Sequence, residues 1–187
     1  MQLNIIPGKP RQVAYLLIDL KNTAIKLVDG TTPTANELEI KIGEGNVTWD
    51  ETRNVEYILD RGRIDEVRLG DEVPMDVNFD FNWEFLSGDT SSAGALPTVE
   101  DVLKQRGNAS AWISTDPDTC RPYAVDVLLE NVPPCGAGGA PAEQEFITLP
   151  DFRWATFSHD LRAATIACTG QCNAQEATAV RSFQPST

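Results

Sequence analysis

Residues 73–85, VPMDVNFDFNWEF, alternate between apolar and polar side chains without a break after the opening dipeptide. The odd positions are all apolar: Val73, Met75, Val77, Phe79, Phe81, Trp83 and Phe85. Successive side chains of a strand point to opposite faces, so the pattern predicts one strand of about 13 residues with a core face and a polar face. The polar face carries acids and amides at Asp76, Asn78, Asp80, Asn82 and Glu84.

Other short runs predict further strands, separated by turn residues such as those of DGTTPT at 29–34. Residues 60–72 are expected to form a charged, glycine-punctuated connection, and 86–97 and 133–144 to form loops. The remaining predicted strands are 11–28 (two short strands joined by the polar DLKNTA), 36–42, 47–50, 55–59, 109–115, 123–132, 145–161 and 163–174, the last one turning at Thr169 and Gly170.

One helix is predicted, over residues 98–107. Thr98 can cap its first turn, with Asp101 three residues on completing a box-like pair. Gly107 is placed to end the helix in a left-handed conformation. Val99, Val102, Leu103 and Arg106 share roughly one face of it. The whole chain, 1–187, therefore reads as a single mainly β domain with one short helix.

The charge argues against a protein that grips nucleic acid, and the hydropathy argues against one that spans a membrane. Formal net charge is −13, with 28 acids against 15 Lys and Arg, and no basic cluster is present to grip phosphates. No run of about 18 apolar residues exists, so no membrane span is expected. The N-terminus lacks the features of a secretory signal, and synthesis in the cytoplasm is expected. An acidic wall can nevertheless stand beside DNA and repel it.

No catalytic motif, cofactor site or metal site is expected. Nucleophile and phosphate-loop motifs are missing, and the single histidine, His159, has no triad context. Asp80 and Glu84 would lie about 13 Å apart on one strand face, too far for a glycosidase pair. Only Cys168 and Cys172 have a spacing close to that of zinc ligands, so zinc is disfavoured. The four cysteines leave three intramolecular pairings open, besides pairings between subunits.

The length of the 73–85 strand points to assembly. About 13 residues would span roughly 43 Å, whereas ordinary strands have five or six residues. Such a strand suits a sheet that continues across subunits and closes into a ring, which removes its exposed edges.

The segments KIGEGNVTW, LDRGRIDEVRLGDEVPMDV and FDFNWEF, with LPDFRW and CNAQEATAVRS near the end, resemble the tail tube proteins of long-tailed bacteriophages over residues 25–181. The resemblance implies a β-sandwich or barrel-like subunit with a flanking helix. Six subunits would form a ring, and rings would stack into a hollow tube through which DNA passes without specific binding. The expected location is the virion tail, with tape measure, terminator, baseplate and, in contractile tails, sheath proteins as partners.

The resemblance also implies roles for particular segments. Asp76, Asn78, Asp80, Asn82 and Glu84 would line the lumen. Residues 43–72 would form an inter-subunit or inter-ring connection. Apart from the resemblance, residues 1–12 are expected to form an N-terminal arm and 182–187 a peripheral C-terminal tail.

The cysteines depart from the family and suggest disulfides that lock the tube. Cys168 and Cys172 would bridge a tight turn, and Cys120 and Cys135 would pair with each other or across subunits.

Two alternatives remain open at this stage. Another tail component of the same fold, such as a terminator or adaptor, would share these features. A β-sandwich module that binds glycans or a receptor would need exposed aromatics, for which Trp112 and Trp154 are candidates.

Overall fold

The computed structural model of the protein describes residues 23–43, 46–83, 96–131 and 144–182. The mainly β class with one short helix is confirmed. In chain order the elements are β1 Thr23–Val28, β2 Glu37–Ile40, β3 Val47–Asp50, β4 Val55–Asp60, β5 Arg63–Leu69, β6 Met75–Asn82, α1 Val99–Leu103, β7 Val125–Asn131, β8 Gln144–Asp160, β9 Thr165–Cys172 and β10 Thr178–Ser182.

Eight of the strands form one antiparallel sheet in the order β2-β1-β7-β8-β9-β6-β3, with β10 paired to β8. The 17-residue β8 joins the two halves of this sheet. Its first half pairs with β7 and β10, and its second half pairs with β9. Phe152, near the middle of β8, is partnered by Val125 on one edge and by Cys172 on the other.

The sheet curls so that its two halves share one core. The Asn82 amide donates to the Lys41 carbonyl at 2.9 Å, which brings the end of β2 against β6. The rings of Phe79 and Phe152 meet inside, with centroids 5.5 Å apart. Among the described strands, β3 and the second half of β8 each keep one unpaired edge, so the curl does not become a closed barrel.

The strand β6 is shorter than predicted. It covers Met75–Asn82, eight residues rather than about 13. Pro74 has no N–H to give to a ladder, which explains the late start. At the other end the Trp83 amide donates to the Ala164 carbonyl at 2.7 Å, outside the strand pairing. Glu84 and Phe85 lie outside the described residues.

The helix α1 begins as predicted and ends early. Thr98 Oγ1 accepts a hydrogen bond from the Asp101 amide at 3.1 Å, as an N-cap does. The helix ends at Leu103, and Gln105 already has a positive φ of 50°. Gly107 instead starts a single 3-10 turn, so its predicted role as the helix end is wrong.

Two strand predictions need correction. Residues 109–115 form no strand: Ala109 closes the 3-10 turn, and the Trp112 amide bonds back to its carbonyl at 3.0 Å. The predicted turn at Thr169 and Gly170 is also wrong, because β9 runs straight through both. A Cβ at Gly170 would lie 2.2 Å from the Arg153 carbonyl oxygen, so this glycine permits close strand approach rather than a turn.

A separate hairpin replaces most of the predicted connection at 60–72. Strands β4 and β5 pair with each other and with no other described strand. The pairing moves from Ile58–Glu66 to Leu59–Ile64, so Asp65 is an extra residue in β5. This bulge breaks the two-residue period that would have revealed β5 in the sequence.

The 29–34 connection is organised by the buried side chain of Asp29, which is 3% exposed. Its carboxylate accepts hydrogen bonds from Thr31, Asn36 and the Ile113 amide. Burial acts to raise the pKa of Asp29, but these hydrogen bonds outweigh it and lower the pKa. Residue 113 is thereby tied to the start of β2.

Several predicted segments fall outside the described residues. These are the 1–12 arm, the strand portion before residue 23, most of the 86–97 loop, the 133–144 loop apart from Gln144, and the tail beyond Ser182.

Candidate functional site: the polar face of the sheet

Strand β6 has one buried apolar face and one exposed polar face, as the alternation in the sequence predicts. Met75, Val77, Phe79 and Phe81 are each at most 3% exposed, whereas the polar side chains between them are exposed. The exposed set is Asp76, Asn78, Asp80 and Asn82. Trp83 does not continue the core face: it is 40% exposed, and its ring packs edge-on against His159 at 5.2 Å.

The outward side chains of β6 belong to a surface that spans four strands. Asp76 lies opposite Asp50 on one side and Gln171 on the other, and Gln171 lies opposite Arg153. Three more rows follow along the strands: the next also crosses four strands, and the last two cross only β6, β9 and β8. We call this surface the polar face; it comprises Thr48, Asp50, Asp76, Asn78, Asp80, Asn82, Arg153, Thr156, Ser158, Asp160, Thr165, Ala167, Thr169 and Gln171.

The polar face is short-chained and acidic. Nearly all of its side chains are Asp, Asn, Thr or smaller, and they stand between strands about 4.8 Å apart. Its one basic group, Arg153, is turned to the rim, where Nη2 lies 2.6 Å from Asp116 Oδ2 and Nε 3.0 Å from the Pro122 carbonyl. The aspartates therefore dominate the charge of this surface.

One pair on the polar face costs stability. Asp50 and Asp76 are direct cross-strand partners, and like charges in that position repel. Gln171 Nε2 donates to Asp76 Oδ1 at 2.9 Å, which offsets part of the cost. A face selected for stability alone would place opposite charges here.

The polar face ends at two open strand edges. On the β3 side, residues 47–50 pair with β6 and with no other described strand. On the β8 side, residues 153–160 pair only with β9 among the described strands. Directions alternate strictly from β3 through β6 and β9 to β8, so β3 and β8 run opposite ways. The two edges can therefore pair with each other in antiparallel fashion between two copies of the chain.

The hairpin of β4 and β5 carries a second notable surface. One of its faces holds the Glu56–Arg68 ion pair at 2.9 Å. The other face is apolar: Val55 at its root is partly buried, and the five other large side chains on it are each at least half exposed. We call this the hairpin apolar face; it consists of Tyr57, Leu59, Ile64, Val67 and Leu69. The alternation in VEYIL predicts β4, but nothing local in the sequence shows that the described part of the chain leaves this face exposed.

The predicted bridge between Cys168 and Cys172 is wrong. Both thiols point inward from one strand and are 1% exposed. Four strand positions separate their Cα atoms by about 13 Å, whereas a disulfide needs less than about 7 Å. Burial raises the pKa of each thiol to about 12. Cys120 is exposed and free, and Cys135 lies outside the described residues.

The described neighbours of His159 are a carboxylate and two aromatic rings, none of which is a nucleophile that it could activate. Its Nε2 lies 3.8 Å from Glu100 Oε1, and its ring contacts Trp83 and Phe157. Glu100 also pairs with Lys104 and Arg106 of the α1 segment. In the described ranges no three His, Cys, Asp or Glu side chains converge to hold a metal ion, and no helix there is long and apolar enough to cross a membrane.

The two tryptophans considered for ligand binding differ. Trp112 is 7% exposed and belongs to the core, so it offers no binding surface. Trp154 is 41% exposed and lies beside the open edge of β8. No protein-family model matches the chain, and no curated protein matches it.

Proposed function

We propose that this protein is the structural subunit of a hollow tube, the tail tube of a long-tailed phage, through which DNA leaves the capsid. The observation that carries the proposal is the polar face: an acidic, four-stranded surface bounded by two complementary strand edges that no other described strand pairs with. In this role the protein acts through its shape and its charge and catalyses no reaction.

The edges of β3 and of the second half of β8 allow copies of the chain to join into a ring. The open edge of β3 in one copy pairs with residues 153–160 of β8 in the next, and each copy repeats the contact. A head-to-tail contact of this kind closes into a ring when its rotation fits. The polar faces then form one continuous antiparallel wall, and the exposed edges disappear. The ring size of six and the stacking of rings come from the resemblance to tail tube proteins.

The wall charge suits a conduit for DNA. Asp50, Asp76, Asp80 and Asp160 face the passage and repel the phosphate backbone, while short side chains keep the surface even. The retained repulsion between Asp50 and Asp76 is explained by this role. Tape measure, terminator and baseplate proteins, with a sheath in contractile tails, are the expected partners.

Electron microscopy tests the proposal. Negatively stained, purified protein will show rings or hollow polymers. A protein that stays monomeric at high concentration and binds glycans will refute the tube and favour the receptor-binding alternative.

Neutralising the wall tests the orientation of the polar face. Asp76→Asn with Asp80→Asn leaves the shape of the face and removes charge, so phage that carry both changes should assemble tails and eject DNA more slowly. Glu37→Gln with Glu39→Gln, two exposed acids of β2 in the other half of the sheet, is the matched control. Unchanged ejection in the double variant argues that the face points elsewhere.

A further inference from the structure

An exposed indole ring stands between two cavities at one end of the sheet. Trp154 is 41% exposed, and its side chain points away from the polar face, toward Lys104 of the α1 segment. A cavity of about 250 Å³ opens beside Lys104 and Pro122. A second cavity, of about 280 Å³, opens beside the start of β6 and the end of β9. Trp154 and Arg153 line both, so the two cavities form one open groove across the ring.

The wall of this groove is polar. We call it the Trp154 groove; besides Trp154, its lining includes five amide or basic side chains, those of Lys104, Gln105, Arg153, Gln171 and Asn173. An apolar partner that covered these groups would leave them without hydrogen bonds, which costs free energy. The groove therefore suits a ligand that can itself donate and accept hydrogen bonds.

Bonds within the chain hold two of these side chains in place. Arg153 donates to the Pro122 carbonyl at 3.0 Å and to Asp116 Oδ2 at 2.6 Å. Gln105 Nε2 donates to the Trp112 carbonyl at 2.9 Å. A ligand that meets side chains already fixed in position loses less free energy in ordering them.

The charge of the groove favours a neutral ligand. Each of its basic side chains has a carboxylate partner, because Arg153 pairs with Asp116 and Lys104 pairs with Glu100. An anionic ligand such as a nucleic acid would compete with these carboxylates and meet a chain whose formal net charge is −13. Hydroxyl groups both donate and accept, so they can bond to these pairs without separating the charges.

The exposed ring distinguishes a sugar from other neutral polar ligands. The face of an indole ring is negative and attracts the C–H groups on the flat side of a pyranose. Phe157 fixes the Trp154 ring from a centroid distance of 5.0 Å. Amides flank the ring, with Gln105 in one cavity and Asn173 in the other. The Asn173 side chain is exposed and has no hydrogen-bond partner among the described residues, so it is free to bond to a sugar hydroxyl.

We propose that the Trp154 groove binds a neutral oligosaccharide, with one pyranose ring stacked on Trp154 and its neighbours in the two cavities. The inference does not depend on the proposed function, since every contact is made within one copy of the chain. The groove lies on the opposite side of β8 from the polar face, so a ligand there leaves the proposed passage for DNA open.

Calorimetric titration of the full-length protein tests the site. The neutral probes are hexasaccharides of α-linked glucose, β-linked glucose, β-linked mannose and β-linked N-acetylglucosamine. The anionic probes are a hexasaccharide of galacturonic acid and a thymidine oligonucleotide. At least one neutral probe should bind with a dissociation constant of about 1 mM or below, and the anionic probes should bind at least about tenfold more weakly.

Three variants locate the binding. Trp154→Ala should weaken binding of the best neutral probe at least about tenfold, because it removes the central stacking contact. Asn173→Ala removes one exposed amide and should weaken binding about threefold. Trp83→Ala is the matched control, because Trp83 is 40% exposed and lies outside the groove, and it should bind as the wild type does. Circular dichroism checks that each variant is folded.

Four results would overturn the site. They are the absence of binding by every neutral probe, tighter binding of an anionic probe, wild-type binding by Trp154→Ala, and a loss in Trp83→Ala equal to that in Trp154→Ala. The outcome for the tube is separate. Protein that binds the saccharide and also forms rings supports both proposals, whereas protein that binds it and never assembles supports the groove and refutes the tube.

Discussion

Truncating Phe79 to alanine probes the two-faced strand at its centre. Phe79 is 2% exposed, and its ring lies 5.5 Å from that of Phe152 and 6.0 Å from that of Phe81. Removing the ring loses apolar burial and leaves a cavity between the two halves of the sheet. Core Phe→Ala changes cost about 3–5 kcal/mol, part of which here is the aromatic pairing with Phe152.

The matched control is the neighbouring residue on the other face. Asn78→Ala removes an exposed side chain and should change the unfolding free energy by less than about 0.5 kcal/mol. Because a domain of this kind is stable by roughly 5–15 kcal/mol, Phe79→Ala should take away a large fraction of the total while Asn78→Ala takes almost none.

Urea unfolding of unassembled protein, followed by tryptophan fluorescence and circular dichroism, gives both values from the midpoint and slope. A Phe79→Ala cost below about 1 kcal/mol, or an equal cost for Asn78→Ala, would refute the assignment of faces on which the polar face depends.

Further predictions concern the buried carboxylate of Asp29, the cysteines and Gly170. Asp29→Ala should cost roughly 3–5 kcal/mol, because it leaves several buried amides without an acceptor; urea unfolding measures it, and a cost under 1 kcal/mol contradicts the hydrogen-bond network. The lowered pKa of Asp29 means that its stabilisation is present above about pH 4 and is lost as the pH falls through its folded pKa. The stability gap between wild type and Asp29→Asn should therefore shrink from pH 7 to pH 3, and a constant gap would argue against it. Alkylation of native protein with iodoacetamide should modify Cys120 and spare Cys168 and Cys172, which mass spectrometry of the peptides will show. Gly170→Ala should cost about 1–3 kcal/mol in urea unfolding, because a Cβ would lie 2.2 Å from a backbone oxygen of β8, and a neutral effect would mean that the strands can separate there.

The strands with a clear period were predictable from sequence alone. Burial along β6 alternates at every position, as its letters indicate, and β7 and the long β8 lie where apolar runs predict them. The cap at Thr98 was also predictable, since it depends on residues three apart.

The predictions that were wrong concern structure that depends on a bulge or on contacts between residues distant in sequence. The bulge at Asp65 hides β5, because a period-based reading needs an unbroken register. Gly170 reads as a turn residue, but its lack of a Cβ serves contact with a neighbouring strand that is distant in sequence. Residues 109–115 have strand-like composition and are held instead by Asp29, more than 80 positions away.

The candidate site was predictable in part. The exposed acids and amides of β6 follow from alternation, whereas the contributions of β3, β8 and β9 to the polar face depend on the order of strands in the sheet. The open edges and the hairpin apolar face have no local signature, because exposure is a property of the whole fold.

A three-dimensional reconstruction of the assembled protein by electron cryomicroscopy tests the lumen most directly. Asp76, Asn78 and Asp80 should face a central channel, with β3 of each subunit hydrogen-bonded to β8 of the next. A reconstruction in which these side chains face the outside of the particle, or in which β3 and β8 remain unpaired, would contradict the tube.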